Sequence, residues 1–282
     1  LKQNPAKHGE PHDRSAALFP APSHQQFQLA PSALREWISD MDCTSKTIRN
    51  TLIPLRSLFE DALNDELIDF NPFDRIALAK LIRQTAKASD YVVQPFTAEE
   101  RAAILAACRP DEWPTVQFWS CTGLRPGELQ ALEWRHVDWE RRTVRIELNQ
   151  VAGVVKAPKT AAGIRDVELS PDAMAALDVQ KRISEGIGAR MWLNPNTLQP
   201  WTTDAQVRKT LWLTLMKRSA ITYRNPYQVR HTFASSLLTA GQNPWYVAQQ
   251  LGHEDVEMVF RTYGKFIRED YMKPRAEFRN AE

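Results

Sequence analysis

Along most of this 282-residue chain apolar residues recur at three- and four-residue steps, and only between residues 143 and 169 does the period shorten to two. A period near 3.6 gives a helix one apolar face, whereas a period of two gives a half-buried strand. The chain is thereby directed to a mainly α architecture with one small antiparallel β-meander, an α+β class. Ile48, Leu52, Leu55, Leu58, Phe59, Ala62 and Leu63 make one such face, on a long helix for which Thr44 or Ser45 supplies the N-cap. Pro54 falls inside that pattern, where a kink or a late helix start is expected. A shorter helix begins at Ala33, Asn71-Pro72 ends the long one, and a further helix is expected over 76–88.

Caps and prolines then divide the chain. Residues 1–31 carry Pro5, Pro11, Pro20, Pro22 and Pro31 and read as an extended lead-in of disordered type. Residues 32–90 read as a small helical domain, and 91–95, closed by Pro95, as a linker. Thr97 and Glu100 form a capping-box signature that opens a second domain over 96–268. Its expected helices cover 98–107, 114–121, 128–132, 172–184, 204–219, 229–240, 244–251 and 256–263. The strands fall at 143–148, 153–156 and 165–169, as a meander of three. Residues 269–282 remain as a charged tail.

Composition excludes several classes. A hydrophobic fraction of 43% and a charged fraction of 25% suit a soluble globular protein. No stretch approaches the roughly 18 apolar residues of a membrane span, and the first thirty residues lack the apolar run of a signal peptide. The chain opens on Leu1 rather than Met, which leaves room for an upstream segment. Cys43, Cys108 and Cys121 have neither metal-type nor redox-type spacing and read as reduced thiols of a cytosolic protein. A net charge of +2 says little about a polyanionic partner. The stretch 205–231 says more: it holds Arg208, Lys209, Lys217, Arg218, Arg224 and Arg230 and no acidic residue, a one-signed run that favours a polyanion.

The chemistry-bearing residues are basic and aromatic. Arg125 lies in a turn bounded by Gly123 and Gly127, and Glu128 sits one helical turn on, where it can hold that guanidinium. Lys159 occupies the turn between two strands. Arg230 is flanked by Tyr227 and His231, His253 follows Gly252, and Tyr263 stands on a short helix. The late group of Tyr227, Arg230, His231, His253 and Tyr263 brings no carboxylate with which to hold a metal, but it can grip a phosphate and attack it. Two arginines can clamp the non-bridging oxygens and neutralise the charge of a pentavalent transition state. A free phenol titrates near about 10, so a tyrosine nucleophile needs cationic neighbours.

Plainer roles fit the other candidates. His231 reads as packing behind Arg230. Tyr246, among Trp245, Val247 and Ala248, reads as core, and Tyr271 as a tail contact. The nine tryptophans read as core or interface anchors. Glu254, Asp255 and Glu257 read as a solvated helix start rather than a metal-nuclease cluster, and Lys159 is preferred to Lys156 by the register of the following Arg165-Asp-Val.

Taken in order, the segments Thr122-Gly-Leu-Arg-Pro-Gly-Glu-Leu, Pro158-Lys-Thr with Gly163-Ile-Arg-Asp-Val, Val229-Arg-His-Thr-Phe-Ala-Ser, Val247-Ala-Gln-Gln-Leu-Gly-His and Thr262-Tyr-Gly-Lys resemble the tyrosine recombinase (phage integrase) family. The resemblance is strong over 96–268 and looser over 32–90, which is similar to the family's core DNA-binding domain. It implies Arg125 and Arg230 as the clamp, with Glu128 in support of Arg125. Lys159 becomes the acid that protonates the 5′-hydroxyl leaving group, His253 the hydrogen-bond donor to phosphate, and Tyr263 the nucleophile that forms a 3′-phosphotyrosyl link. The family commonly has histidine where this chain has Tyr227, and a phenol is a poor general base near neutral pH.

By the same resemblance the chain is expected to integrate or excise a phage or mobile element. It would act on double-stranded DNA in the bacterial cytoplasm, as a homotetramer on paired sites, with accessory DNA-bending proteins and without metal or cofactor. The tail 269–282 is a candidate contact between protomers, and an arm-binding domain upstream of Leu1 is compatible with the sequence. A type IB topoisomerase-like enzyme and a catalytically inactive DNA-binding module are the alternatives.

Overall fold

The computed structural model describes residues 30–89 and 91–267. Nearly all of the 1–31 lead-in, the tail 269–282 and Tyr271 lie outside the described residues. The chain divides into two compact units, Leu1–Tyr91 and Val92–Glu282.

In the first unit, α1 (Pro31–Ser39), α2 (Ser45–Asn64) and α3 (Leu78–Thr85) surround a core of Leu34, Ile38, Ile48, Leu52, Phe73, Ile76 and Ile82. Thr44 is the N-cap of α2: its hydroxyl accepts from the Thr47 amide at 3.4 Å. The helix runs through Pro54 without a break. Its apolar face is shorter than the expected one, because Leu55 and Phe59 pack against the core but Leu58 is 62% exposed. α3 is shorter than the expected 76–88 segment, since Asn71 caps a 3₁₀ turn over Pro72–Arg75 that takes up Phe73 and leaves Ile76 extended.

The second unit opens with α4 (Ala98–Ala106), whose capping box is formed on both sides by Thr97 and Glu100. α5 (Trp113–Thr122) and α6 (Pro126–Ala131) follow, then β1 (Val137–Asp138), β2 (Thr143–Ile146), β3 (Asn149–Val151), β4 (Val154–Lys156) and β5 (Arg165–Glu168). Next come α7 (Pro171–Ser184), α8 (Asp204–Val207), a π-helical turn over Arg208–Trp212, and α9 (Leu213–Arg218). The unit closes with α10 (Gln228–Thr239), α11 (Pro244–Leu251) and α12 (Glu257–Tyr263). Trp119, Trp192, Trp201 and Trp212 are fully buried in its core, as the core reading of tryptophan anticipates, whereas Trp245 is 60% exposed.

The antiparallel sheet is real, but its membership differs from expectation. The three-stranded order is β1-β2-β5, with Val144 opposite Val167 and Ile146 opposite Arg165. The segment 153–156, expected as the central strand, instead forms a separate hairpin, β3 with β4. All three residues of β4 are exposed, so nothing draws it into the core. β1 is only two residues long and leaves no period to read. α6 begins two residues earlier than expected because Pro126 occupies its first position, where a missing amide hydrogen costs nothing.

Two other expectations change. Residues 92–95, read as linker, are bonded to the second unit: Gln228 Nε2 donates to Val92 O, the Gln94 amide to Gln228 Oε1, and Arg224 to Pro95 O. The one-signed run 205–231 is partly neutralised by acids from far upstream. Arg218 pairs with buried Glu112, and Arg224 pairs with Glu100 through two 2.7 Å bonds while lying 4.8 Å over the Phe96 ring. Arg208, Lys209 and Lys217 make no ion pair among the described residues. Arg224→Ala is therefore expected to lower the unfolding free energy of this unit by about 2 kcal/mol, from lost charge-assisted bonds. Urea denaturation of the wild type and the variant checks this.

Candidate active site

The site is built at the carboxyl end of α11. The last carbonyls of a helix lack intrahelical partners and carry the negative end of its dipole. Here three consecutive ones each receive a guanidinium. Arg165 Nε donates to Gln250 O at 2.8 Å, Arg230 Nη2 to Leu251 O at 2.5 Å, and Arg125 Nη2 to Gly252 O at 3.2 Å. Gly252 closes the helix at φ +65°, where a Cβ would come within 2.7 Å of Arg165 Nη1, so the backbone conformation and the approach of Arg165 both require glycine.

The arginines arrive from three elements. α5 stops at Gly123, which adopts φ +59° against the Phe233 ring, and the chain turns so that Arg125 becomes the residue before α6. Arg165 is on β5, where it shares the inner face with buried Val167, in alternation with exposed Asp166 and Glu168. Arg230, 1% exposed, lies in the first turn of α10 and donates its second nitrogen to Gly123 O at 3.0 Å.

One carboxylate holds two of them together. Glu128 Oε1 accepts from Arg125 Nη1 at 2.6 Å and Arg165 Nη1 at 3.1 Å. Its Oε2 accepts from Arg165 Nη2 at 3.0 Å and the Arg125 amide at 2.9 Å. Burial alone would raise this carboxyl, but the charge and hydrogen bonds of Arg165, with the charges of Arg125 and Arg230, bring it down to about 2. For Arg125, burial opposes the charged form, yet Glu128 and Tyr227 hold it above the ordinary arginine value. Burial, and then the charge of Arg125, lower Arg230 to about 10, still charged at neutral pH.

Around this cluster stand the other candidates. Tyr227, just before α10, interacts with the Arg125 guanidinium and lines a cavity of about 610 Å³ with Arg125, Arg208, Asn149 and Asn225. His253 follows Gly252, and its Nδ1 is buried with no hydrogen-bond partner among the described residues. Burial and then the charges of Arg230, Arg125 and Arg165 lower it to about 3. Tyr263, 2% exposed, lies in the cluster that packs α10, α11 and α12, and its hydroxyl is 2.8 Å from His231 Nδ1. Burial and Arg230 lower His231 to about 4.

The fold thus brings together Arg125, Glu128, Tyr227, Arg230, His231, His253 and Tyr263. Lys159 is exposed between β4 and β5, without a hydrogen bond or ion pair among the described residues. Tyr246 does not share the site: its hydroxyl donates to Glu168 at 2.9 Å, and burial with that carboxylate pushes it up to about 12. Glu254, Asp255 and Glu257 are exposed, and Asp255 accepts from the Met258 amide at the start of α12.

Two features escaped the sequence reading. The sequence uses Arg165 only to fix a register, although its shared strand parity with Val167 already places it on the inner face. His231 was read as packing, and nothing in its neighbours along the chain announces the contact with Tyr263, which is 32 residues away.

Residues 79–266 match the model of the phage integrase family. Among curated relatives, the prophage integrase IntR of Escherichia coli (strain K12) is 32% identical over 247 residues, covering 79% of this chain and 58% of IntR. The chain spans about three fifths of the length of the curated relatives it matches. Among solved structures, the Tn1549 transposon integrase in complex with a circular-intermediate DNA is similar at a TM-score of 0.69 and 21% identity, over 84% of this chain and 81% of that one. A lambda integrase tetramer bound to a Holliday junction is similar at a TM-score of 0.50 and 17% identity, over 76% of this chain and 65% of that one. These two likenesses concern the fold.

Glu128→Gln should leave Arg165 buried without its counter-charge and cost about 3 kcal/mol or more of unfolding free energy, measured in urea. Protons bind the unfolded histidines at about 6.5 but His231 and His253 only at about 4 and about 3 when folded. The unfolded chain therefore binds more protons below pH 6.5, and the contribution of these histidines to stability, complete above that value, declines as pH falls towards 4. His253→Asn should make this decline shallower in a pH series of urea melts.

Proposed function

The chain belongs to the phage integrase family, and we propose that it is a site-specific DNA recombinase of an integrated phage or mobile element, cleaving and rejoining DNA through a 3′-phosphotyrosyl intermediate. The observation that carries this reading is charge. Three guanidiniums meet at one helix end against a single carboxylate, so the cluster retains a positive excess that an anion must balance. A phosphodiester supplies one negative charge in the ground state and develops another in the transition state, where pre-placed guanidiniums stabilise most.

In this reading Arg125 and Arg230 hold the non-bridging oxygens and Tyr227 offers its hydroxyl beside them. His253 turns its ring to the same phosphate, which offsets the cost of about 1–3 kcal/mol that an unbonded buried polar atom carries. Arg165 and Glu128 fix the clamp without reaching the DNA. Tyr263 attacks phosphorus and Lys159 protonates the departing 5′-oxygen once DNA orders its loop. The bond energy stays in the phosphotyrosyl link, so rejoining needs no ATP. The first unit serves as the core DNA-binding domain, and the second, with the half-buried Arg208 and the exposed Lys209 and Lys217, as the catalytic domain.

Exchange between two duplexes requires cleavage at two sites on each, which four protomers supply. The described residues contain no helix long and apolar enough to cross a membrane, which suits an enzyme working on cytoplasmic DNA, with DNA-bending proteins assisting where a site must be folded.

A nicked suicide duplex, from which the cleaved strand end diffuses away, tests the reading. Wild type is expected to accumulate a covalent protein–DNA adduct in excess EDTA, and Tyr263→Phe none. Arg125→Ala should slow adduct formation about 10²–10³-fold while binding the duplex nearly as well, since affinity is spread over many backbone contacts. A wild type that forms no adduct would refute the proposal. Recombinant product from a matched pair of sites, rather than relaxation alone, separates a recombinase from a topoisomerase.

A further inference from the structure

His231 is a buried, basic group that the reading above leaves without a task, and it touches the reacting atom. Its Nδ1 lies 2.8 Å from the Tyr263 hydroxyl, within range for proton transfer. The ring sits between two phenols, 5.2 Å from the Tyr227 ring and 5.6 Å from the Tyr263 ring. Being next to Arg230 on α10, it is fixed to the same turn that carries a clamp arginine. Tyr227, by contrast, is turned towards Arg125 and is itself a phenol, unable to serve as base near neutral pH.

We propose that His231 is the proton acceptor for Tyr263, so that the base of the cleavage step stands one residue after the clamp arginine. The inference rests on the reading of Tyr263 as nucleophile. As the Tyr263 oxygen forms its bond to phosphorus, the O–H bond breaks and the proton passes to His231 Nδ1, with the resting proton of the neutral imidazole on Nε2. The bond from phosphorus to the 5′-oxygen breaks and that oxygen leaves with a proton from the general acid. In rejoining, the 5′-hydroxyl attacks, the Tyr263 oxygen departs, and the imidazolium returns its proton.

The surroundings make this base responsive to substrate. In the free protein, burial and the Arg230 charge hold His231 neutral and weakly basic, with about 4 as its titration point. A phosphate seated on Arg230 offsets that charge and raises the basicity of His231 when DNA is in place. Among the groups that face the ring are Arg230 on its own helix, Tyr227 just before that helix, and Tyr263 from α12.

The test measures single-turnover adduct formation on the nicked duplex, for His231→Ala and for His231→Asn, which retains a hydrogen-bonding group but cannot take a proton. Both are expected to lose about 100-fold or more in rate, with duplex affinity unchanged. Replacing Tyr263 by difluorotyrosine, whose phenol ionises more readily, should restore most of the loss in either variant, because the missing step is proton removal. Rates within about threefold of wild type, or a loss that the acidic phenol does not restore, would overturn the proposal. An unreactive wild type would instead refute the nucleophile reading beneath it.

Discussion

Three successive carbonyls at the end of α11 hold three guanidiniums, and the rest of the second unit is arranged to make that possible. Guanidiniums repel one another at this range, and Arg230 is lowered to about 10 partly by Arg125. What outweighs the repulsion is fixed negative charge of two kinds: the carbonyl end of a helix dipole and the four-donor carboxylate of Glu128. Both are local and rigid. The arginines are therefore ordered by the fold itself, and in the proposed reaction the electrostatic cost is met in folding rather than at the moment of cleavage.

That arrangement explains why the site draws on such distant stretches. Arg125 comes from the turn after α5, Arg165 from β5, and Arg230 from α10. The sheet β1-β2-β5 serves mainly to present Arg165 from the position opposite Ile146 to Glu128. The aromatic side of the site hangs on the same helix: His231 follows Arg230, and its ring meets Tyr263 from α12. The proposed clamp and nucleophile are thus tied through one turn of α10. Tyr227, the departure from the family's usual histidine, is drawn to Arg125, which suits a phosphate contact more than a base.

Much of this was legible in the sequence where the signal is local. The Thr97–Glu100 capping box, Asn243-Pro244 at the start of α11, Gly252 at its end, and the alternation in β2 and β5 all carry their physics within a few residues. What was not legible depends on partners far along the chain. Arg218 and Arg224 belonged to a run that read as one-signed, because Glu112 and Glu100 are more than a hundred residues away. β4 has the composition of a strand, but no core reaches it. His231 looked like packing because only the tertiary fold brings α12 to it. Arg165 alone was within reach, since its strand parity places it inside.

The central claim is that the guanidiniums serve the charge of the phosphate. Cleavage rates of wild type and Arg125→Ala should be compared on two duplexes, one with a normal scissile phosphate and one with an uncharged methylphosphonate at that position. If Arg125 acts by balancing charge, its removal will slow cleavage by about 10²–10³ on the phosphate and far less on the methylphosphonate. An equal loss on both linkages would contradict the account.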